Sequence, residues 1–405
     1  MSDEGPRSTE WPESLGWAAF LACSWTWCIG MFLPVLLLRD FGPLSFFAFA
    51  VPNIVGAAAM GLLLREPGLS ERLVQDHARM CGLFSIVTRA FQFFFLTWLL
   101  VSLRSRGVLL GSLGVFLAGL ILASRIYDGS GRRVRAGAAI VWIASAALLA
   151  VAWAQGGIDW PRPLLAHSAG LIWLTPVMVF GFALCPYLDL SFHSARQRAA
   201  GTRGDRAFIL GFGVLFATMI AGTFGYAHLF RFDGPPLASR ALLAAPGLLV
   251  LLHIVLQLGY TIGVHDVGVD RAAGRIRAEQ GFGWGAIGAA LAVGQLWIPD
   301  LHGLDSGEAI YRGFMAFYGL VFPAYVWLCM IPARGVERGA TPLRLTVWAA
   351  AVATAAPMFY LGFIARETWW LAPGLAVVLL ARALLRPLTA WRARKPGPPA
   401  ETHSV

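Results

Sequence analysis

The chain of 405 residues is 58% hydrophobic and only 13% charged, with a mean hydropathy of +0.66. This composition excludes an ordinary soluble domain and is typical of a multi-pass membrane protein. The net charge of +10 would suggest nucleic-acid binding in a soluble protein. The uneven distribution of arginines described below accounts for that charge, so no nucleic-acid partner is expected.

Apolar runs that are long enough to span a bilayer recur along the chain with short gaps. They predict an all-α polytopic membrane protein with about twelve transmembrane helices, in a single transmembrane domain over residues 15–394. The segment 1–14 is acidic and does not resemble a signal peptide, and the proline-rich tail 395–405 is predicted to be disordered. The predicted spans are 15–38, 41–64, 79–103, 107–125, 136–155, 169–190, 206–229, 241–263, 283–299, 308–333, 343–364 and 367–385.

Basic residues are distributed unequally between the two sides of this predicted bundle. With the N-terminus placed in the cytoplasm, 23 arginines and lysines fall on that side and 7 on the other, and Arg89 and Arg312 remain within spans. This is the positive-inside pattern. Both termini are therefore predicted to be cytoplasmic, in a bacterial cytoplasmic (cell inner) membrane.

The cysteines and histidines do not form a pattern that would hold a metal or cofactor. All five cysteines lie in apolar runs and none has metal-ligand spacing. Only His253 lies deep in a predicted span, whereas a membrane haem or copper protein needs paired histidines. We therefore predict no metal site and no cofactor.

The first predicted span contains polar groups near its middle, followed by two residues that weaken a helix. Trp25, Thr26 and Trp27 lie at its centre, and Gly30 and Pro34 follow. Such a sequence permits an unwound stretch whose carbonyl groups can contact a ligand. We predict that Trp25, Thr26 and Trp27 bind the substrate.

The third span carries a charge in its middle. Arg89 is costly at that depth and is expected to face the bundle interior, either as a coupling or gating group or in a structural ion pair. Gln92, one turn further on, is a predicted substrate-binding residue. Arg312 follows Glu308 by one turn, so a local salt bridge is predicted there.

The sixth span is interrupted within Gly181–Arg198, which reads GFALCPYLDLSFHSARQR. Pro186 frees backbone groups inside the bilayer, and many secondary transporters place the substrate at such a break. Cys185 and Tyr187 are predicted to bind the substrate. Asp189 is predicted to act in coupling or gating at the inner edge of the site, where it would be partly solvated.

The eighth span carries His253 and Gln257 one turn apart, on one face of the helix. Histidine can take up and release a proton near physiological pH, so both residues are predicted to act in coupling. The alternative is a neutral histidine that is hydrogen-bonded between helices. His265, at the cytoplasmic end of this span, is expected to be solvated.

Two stretches carry a family resemblance: Gly30–Gly61 and the run from Val179 through Gly225. The first resembles the opening hairpin of the leucine-transporter fold in the amino acid–polyamine–cation superfamily. The second is similar to the sixth and seventh helices of nucleobase–cation symporters, with solute–sodium symporters also near in pattern. The resemblance implies a five-plus-five inverted repeat (15–155 and 169–333) followed by two appended helices (343–385).

One departure from that family bears on the coupling ion. Sodium-coupled members carry a Ser/Thr pair in the eighth helix, where this chain has Leu251, Leu252 and His253. Sodium coupling is therefore in doubt, and proton-linked or uncoupled transport is favoured instead.

Three classes of function remain open. The first is a secondary transporter that moves a small solute across the lipid bilayer by alternating access. The second is a polytopic membrane transferase acting on a lipid-linked substrate, with His253 as general base. The third is a non-transporting membrane subunit. Neither the oligomeric state nor the solute follows from the sequence.

Overall fold

The computed structural model describes residues 7–394 except for short gaps at 104, 128–129, 161–167, 200, 231–239, 274–284, 289, 292, 295–296, 298 and 333–338. Within the described ranges the named elements are helical, and an isolated bridge joins Leu301 to Leu304. The helices are α1 (Arg7–Trp25), α2 (Cys28–Phe41), α3 (Leu44–Leu63), α4 (Leu69–Asp76), α5 (Ala78–Leu103), α6 (Arg106–Tyr127), α7 (Gly131–Ala154), α8 (Leu171–Leu184), α9 (Leu190–Arg198), α10 (Gly201–Leu210), α11 (Ala217–Tyr226), α12 (Arg240–Leu243), α13 (Ala245–Ala273), α14 (Ser306–Tyr325), α15 (Pro342–Phe363) and α16 (Leu371–Arg394).

The predicted spans correspond closely to the helices of the described chain. Nine stretches are long and apolar enough to cross a membrane, and α1 with α2 forms a further, bent pair. A shorter apolar helix at Gly107–Ala123 matches the predicted span 107–125. The predicted span 283–299 lies largely outside the described residues. The fold is therefore the all-α multi-pass membrane architecture that the composition predicted.

The helix α1 begins earlier than the sequence suggested. It starts at Arg7, within the segment 1–14 that was predicted to precede the first helix. The carboxylate of Glu13 lies 2.6 Å from Arg135 on α7 and 2.7 Å from Arg203 on α10. Acidic residues are favourable in the first turns of a helix, and here they also tie three helix starts together. We call this end of the bundle the amino-terminal side.

The first membrane-spanning helix breaks between α1 and α2, which meet at an angle of 58°. The break lies at Thr26 and Trp27, and Trp27 adopts an extended conformation (φ −113°, ψ −172°). Gly30 and Pro34 lie within the continuous helix α2, so the break is earlier and shorter than they suggested. The hydroxyl of Thr26 donates to the Ala22 carbonyl at 2.7 Å, which occupies a backbone acceptor near the break.

The sixth predicted span breaks where Pro186 indicates. The helix α8 gives way to a single 3₁₀ turn at Cys185–Leu188, and Asp189 is extended (φ −81°, ψ 110°) before α9 begins. Proline has no N–H to donate to the preceding turn, so the α-helical ladder cannot continue through it. The carboxylate of Asp189 then caps α9 by accepting from the Ser191 N–H at 2.8 Å.

Two arginines hold the end of α14 where it enters the π-helical turn Val326–Met330. Arg344 on α15 is fully buried and donates to the Cys329 carbonyl at 2.7 Å. Arg382 on α16 donates to the Pro332 carbonyl at 2.6 Å. The last carbonyls of a helix lack intrahelical donors, so these side chains supply the missing partners. The sequence pattern had placed both arginines among the cytoplasmic basic residues.

Candidate functional site

A cavity of about 70 Å³, here called the central cavity, lies where the two broken helices approach each other. The predicted substrate-binding residues Trp25, Trp27 and Cys185 line it. Gly30 and Gly181 also line it, one on each broken helix. Residues at the breaks of both helices therefore line one space.

One wall of the central cavity is aromatic and is fixed by a buried hydrogen bond. The indole N–H of Trp25 donates to Oδ1 of Asn53 on α3 at 2.6 Å. The Trp25 ring centroid lies 4.8 Å from that of Trp27 and 4.9 Å from that of Phe192 on α9. This aromatic cluster separates the cavity from α9.

Tyr318 on α14 is a lining residue that sequence reasoning missed. Its hydroxyl forms a 2.6 Å hydrogen bond with Thr88 on α5, and its backbone carbonyl accepts from the Cys185 thiol at 3.5 Å. Its ring packs against that of Trp27, with centroids 5.6 Å apart. The only signal in the sequence is an aromatic residue within an apolar span, which core packing produces equally often.

A larger cavity of about 840 Å³, the amino-terminal cavity, opens between α3, α4, α8 and α15. Tyr187, predicted to bind substrate, lines this cavity rather than the central one. His77 lies at its edge and forms a 2.9 Å hydrogen bond with the Tyr325 hydroxyl. Burial lowers the pKa of His77, so it is neutral at physiological pH. Among the described residues, this cavity and the central cavity share no lining residue.

A third cavity of about 500 Å³, the opposite-side cavity, lies at the end of α2. It shares five lining residues with the central cavity, so the two spaces adjoin. Those residues are Leu33, Leu37, Leu174, Met315 and Phe363. The central cavity therefore adjoins the opposite-side cavity but not the amino-terminal cavity.

Arg39, Asp40 and Arg312 line the opposite-side cavity, and Glu308 forms ion pairs with both arginines. These four charged side chains are here called the outer charge cluster. Arg39 on α2 donates to both carboxylate oxygens of Glu308 on α14. Arg312 donates to Glu308 at 2.8 Å, as its i,i+4 spacing predicted, and also binds Asp40. The cluster thus joins the far ends of α2 and α14 by paired charges.

Asp305 precedes this cluster and caps α14. Its Oδ1 accepts from the N–H groups of Gly307 at 2.9 Å and Glu308 at 3.1 Å. Burial raises the pKa of Asp305 to about 6. A carboxyl group with a raised folded-state pKa stabilises the fold at low pH, and this contribution is lost as the pH rises from about 4 to about 6.

The substitution Asp305→Asn tests this pH dependence, because asparagine also caps helices but does not titrate. We expect the free energy of unfolding of the wild type, relative to Asp305→Asn, to fall by about 1 kcal/mol between about pH 4 and pH 7. The effect is limited because the carboxyl group is partly exposed to solvent. Thermal unfolding midpoints measured across this range would check it, and parallel pH profiles for the two proteins would contradict it.

Three further predicted residues, Gln92, Gln257 and Thr26, lie outside the central cavity and form hydrogen bonds elsewhere. Gln92 on α5 accepts from the hydroxyl of Thr261 on α13. Gln257 donates to Ser145 on α7 at 2.8 Å. Thr26 bonds to its own helix, as described above. These contacts are typical of polar groups that join membrane helices.

His253 and Arg89 are both buried but also lie apart from the central cavity. The two ring nitrogens of His253 have no hydrogen-bond partner among the described residues, and the nearest ring is that of Tyr226 at 6.4 Å between centroids. Arg89 lies one helical turn before Gln92 on α5, close enough to His265 for their charges to interact. Neither residue lines the central cavity.

Asp189 and His265 differ from their predicted surroundings, because both are fully buried rather than solvated. His265 lies about two turns before the end of the long helix α13, close to Asp189 at the break in the sixth span. Its Nε2 is 3.9 Å from Oδ2 of Asp189, and its Nδ1 is 3.4 Å from the Ser85 hydroxyl. Sequence position alone had placed both residues near the interface, where water would reach them.

Comparisons with known proteins give little further information. No protein-family model matches the chain, and no curated protein matches its sequence. A crystal structure of a mutant manganese transporter from Eremococcus coleocola is similar at 13% identity, covering 95% of this chain and 94% of that one, with a TM-score of 0.46. A likeness at that level does not decide function, so the proposal below rests on the geometry of this chain.

Proposed function

We propose that the chain is a secondary-transporter-like integral membrane protein that moves a small solute by alternating access. The observation that carries this proposal is the central cavity, which lies where two membrane helices are both interrupted. Interrupted helices present backbone groups to a solute at mid-membrane depth and allow the halves of each helix to tilt separately. The proposed function includes no enzymatic step, resident metal or cofactor.

The arrangement of the three cavities supports a conformation that is accessible from one side. The central cavity adjoins the opposite-side cavity, whereas it shares no lining residue with the amino-terminal cavity. In the proposed cycle, Trp25 leaves Asn53 and opens a path to the amino-terminal cavity. The outer charge cluster draws α2 and α14 together at the other end.

The lining of the central cavity favours a small solute with a largely apolar body. Trp25, Trp27 and Tyr318 present aromatic rings, and Asn53 presents a polar side chain. Among the described residues, no charged side chain lines this cavity. A neutral or zwitterionic solute therefore fits the site better than an ion that needs a side-chain counter-charge.

We also propose that lipid surrounds the bundle and that both termini are cytoplasmic, in a bacterial inner membrane. Large apolar side chains such as Leu110, Ile172 and Leu380 are 68–69% exposed, which suits contact with lipid. The five-plus-five repeat belongs to this proposal, since each half would begin with a broken helix. Alkaline phosphatase fused to either terminus should be inactive, because that enzyme requires export, and an active fusion would contradict the orientation.

Uptake into proteoliposomes tests the transport proposal. Purified full-length protein would be screened with nucleobases, amino acids and small organic ions, under imposed proton and sodium gradients and without them. We expect uptake of at least one neutral or zwitterionic solute above the level of protein-free liposomes. Absence of uptake for every class would reject the proposal in favour of a membrane transferase or a non-transporting subunit.

A further inference from the structure

An acid and an imidazole face each other in the interior without completing a hydrogen bond. Oδ1 of Asp189 accepts from the N–H and the hydroxyl of Ser191, at 2.8 and 2.6 Å. Oδ2 of Asp189 and Nε2 of His265 have no hydrogen-bond partner among the described residues. These two atoms lie 3.9 Å apart, and both side chains are completely buried.

The separation of these atoms suits a shared proton. A direct N–H···O bond spans about 2.7–3.2 Å, so 3.9 Å is too long for one in this conformation. A bridging water would need roughly 4.5 Å, because each of its two hydrogen bonds spans about 2.8 Å. A small rotation of either side chain therefore closes the gap, and one proton between the two atoms then satisfies both.

Other small cations fit the same position less well. Sodium and magnesium prefer shells of oxygen ligands, whereas one of the two facing atoms here is an imidazole nitrogen. Among the described residues, no group of three or more histidine, cysteine or acidic side chains is arranged to hold a metal ion. A proton needs only the two facing atoms.

The position of His265 connects this pair to both broken helices. Asp189 is the extended residue that ends the break of the sixth span and caps α9. The ring of His265 also packs edge-on against Trp27, the extended residue in the break of the first span, with centroids 6.2 Å apart. A single imidazole thus contacts both points at which the proposed transporter would bend.

We propose that Asp189 and His265 bind one exchangeable proton, and that binding this proton controls the tilt of the two broken helices. With the proton in place, Asp189 is joined to His265 and α9 is held against α13. After the proton leaves, this bond is lost and α9 is released. The link to transport rests on the proposed function, whereas proton binding by the pair does not.

Neighbouring groups are already engaged and do not compete directly for this proton. His193 bonds to the Ser70 hydroxyl at 2.8 Å and to the Tyr187 carbonyl at 3.0 Å. The Tyr318 hydroxyl bonds to Thr88. The charged and titratable groups that face the pair from neighbouring helices are Cys81 and Arg89 on α5, His193 on α9 and Tyr318 on α14.

The test measures proton binding without any solute. Proteoliposomes containing the full-length protein would be adsorbed on a solid-supported membrane and stepped from about pH 8 to about pH 6, across the range in which histidine titrates. We expect the wild type to show a transient charge displacement. Asp189→Asn and His265→Gln should lose it, while His228→Gln, which changes an exposed histidine, should retain it.

Each outcome of this test decides the proposal. If the charge displacement is retained in either Asp189→Asn or His265→Gln, the proposal that these two residues share the proton is wrong. Loss in His253→Gln with retention in His265→Gln would move the proton site to the other buried histidine of α13. If a pair variant fails to fold, Ser85→Ala keeps both titrating groups and should shift the midpoint of the displacement by about 0.5–1 pH unit. An unshifted midpoint would then reject the site.

The transport proposal and the proton-binding proposal can be rejected independently of each other. If no solute is taken up but the displacement depends on both residues, the proton site stands and the transport proposal fails. If a solute is transported, Asp189→Asn and His265→Gln should make its uptake insensitive to an imposed pH gradient. Uptake that still follows the gradient in these variants would overturn the coupling role.

Discussion

Replacing Gly181 with valine is expected to reduce solute uptake strongly while leaving the protein folded. Gly181 lines the central cavity, and a Cβ atom added there would meet its nearest atoms, in Tyr318 and Gly319, at 3.8 and 3.9 Å. These are ordinary contacts, so the Cβ atom itself forces no movement of the backbone, and the two methyl groups of valine extend from it at the wall of the cavity. The cavity holds only about 70 Å³, so a valine side chain would occupy much of the space that the solute needs.

The expected effect is a loss of uptake of at least about tenfold, corresponding to about 1.4 kcal/mol of lost binding. Uptake would be measured in proteoliposomes and normalised to the amount of monodisperse protein. The thermal unfolding midpoint should stay close to that of the wild type. Uptake at the wild-type rate in this variant would show that the solute does not bind in the central cavity.

Gly56 is a matched control glycine at which the same substitution is expected to disturb folding. A Cβ added to this residue on α3 would lie 2.2 Å from the carbonyl oxygen of Phe182 on α8. The obstacle is backbone, so Gly56→Val must push the two helices apart, and we expect it to reduce the yield of folded protein severely. The two substitutions together separate the effect of filling a site from the effect of disturbing helix packing.

Glu308→Gln is expected to give the largest loss of stability in the outer charge cluster. The Glu308 side chain is only 4% exposed and accepts from both Arg39 and Arg312. Removing its charge leaves two guanidinium groups with Asp40 as their only acid in the cluster. We expect the free energy of unfolding to fall by about 2–3 kcal/mol, since breaking a largely buried ion pair leaves charge uncompensated.

The measurement is the thermal unfolding midpoint in detergent, with Glu66→Gln as the matched control. Glu66 is exposed, so neutralising it should change the free energy of unfolding by no more than about 0.5 kcal/mol. If Glu308→Gln unfolds at the same temperature as this control, the cluster does not hold α2 to α14. That result would also remove the cluster from the proposed transport cycle.

Features that depend on local chemistry were predictable from the sequence. Pro186 predicts the break in the sixth span because proline cannot donate a backbone hydrogen bond. The pair Glu308 and Arg312 was predictable because residues four apart share one helix face. The spans followed from apolar runs, since a lipid environment requires them.

Features that depend on distant helices were not predictable. The break takes up only the first part of the interruption predicted at Trp25–Pro34, and the Trp27 indole there packs against Tyr318 and His265 from distant helices. The burial of Asp189 depends on α13, which lies far along the chain. A single sequence shows which residues are polar within a span, but it does not show which helix will face them.

Arg344 on α15 and Arg382 on α16, which bind carbonyls at the end of α14, bear on whether the last two helices are needed for stability. The sequence predicted α15 and α16 as appended helices, yet Arg344 and Arg382 supply donors to carbonyls at and just after the end of α14. The bond from Arg344 to the Cys329 carbonyl is buried, and a buried carbonyl without a donor costs several kcal/mol because no water can replace that donor. A protein shortened before residue 342 would therefore lose the arginine donors to the carbonyls at the end of α14. We expect such a protein to be less stable, so α15 and α16 contribute to the structure of the bundle.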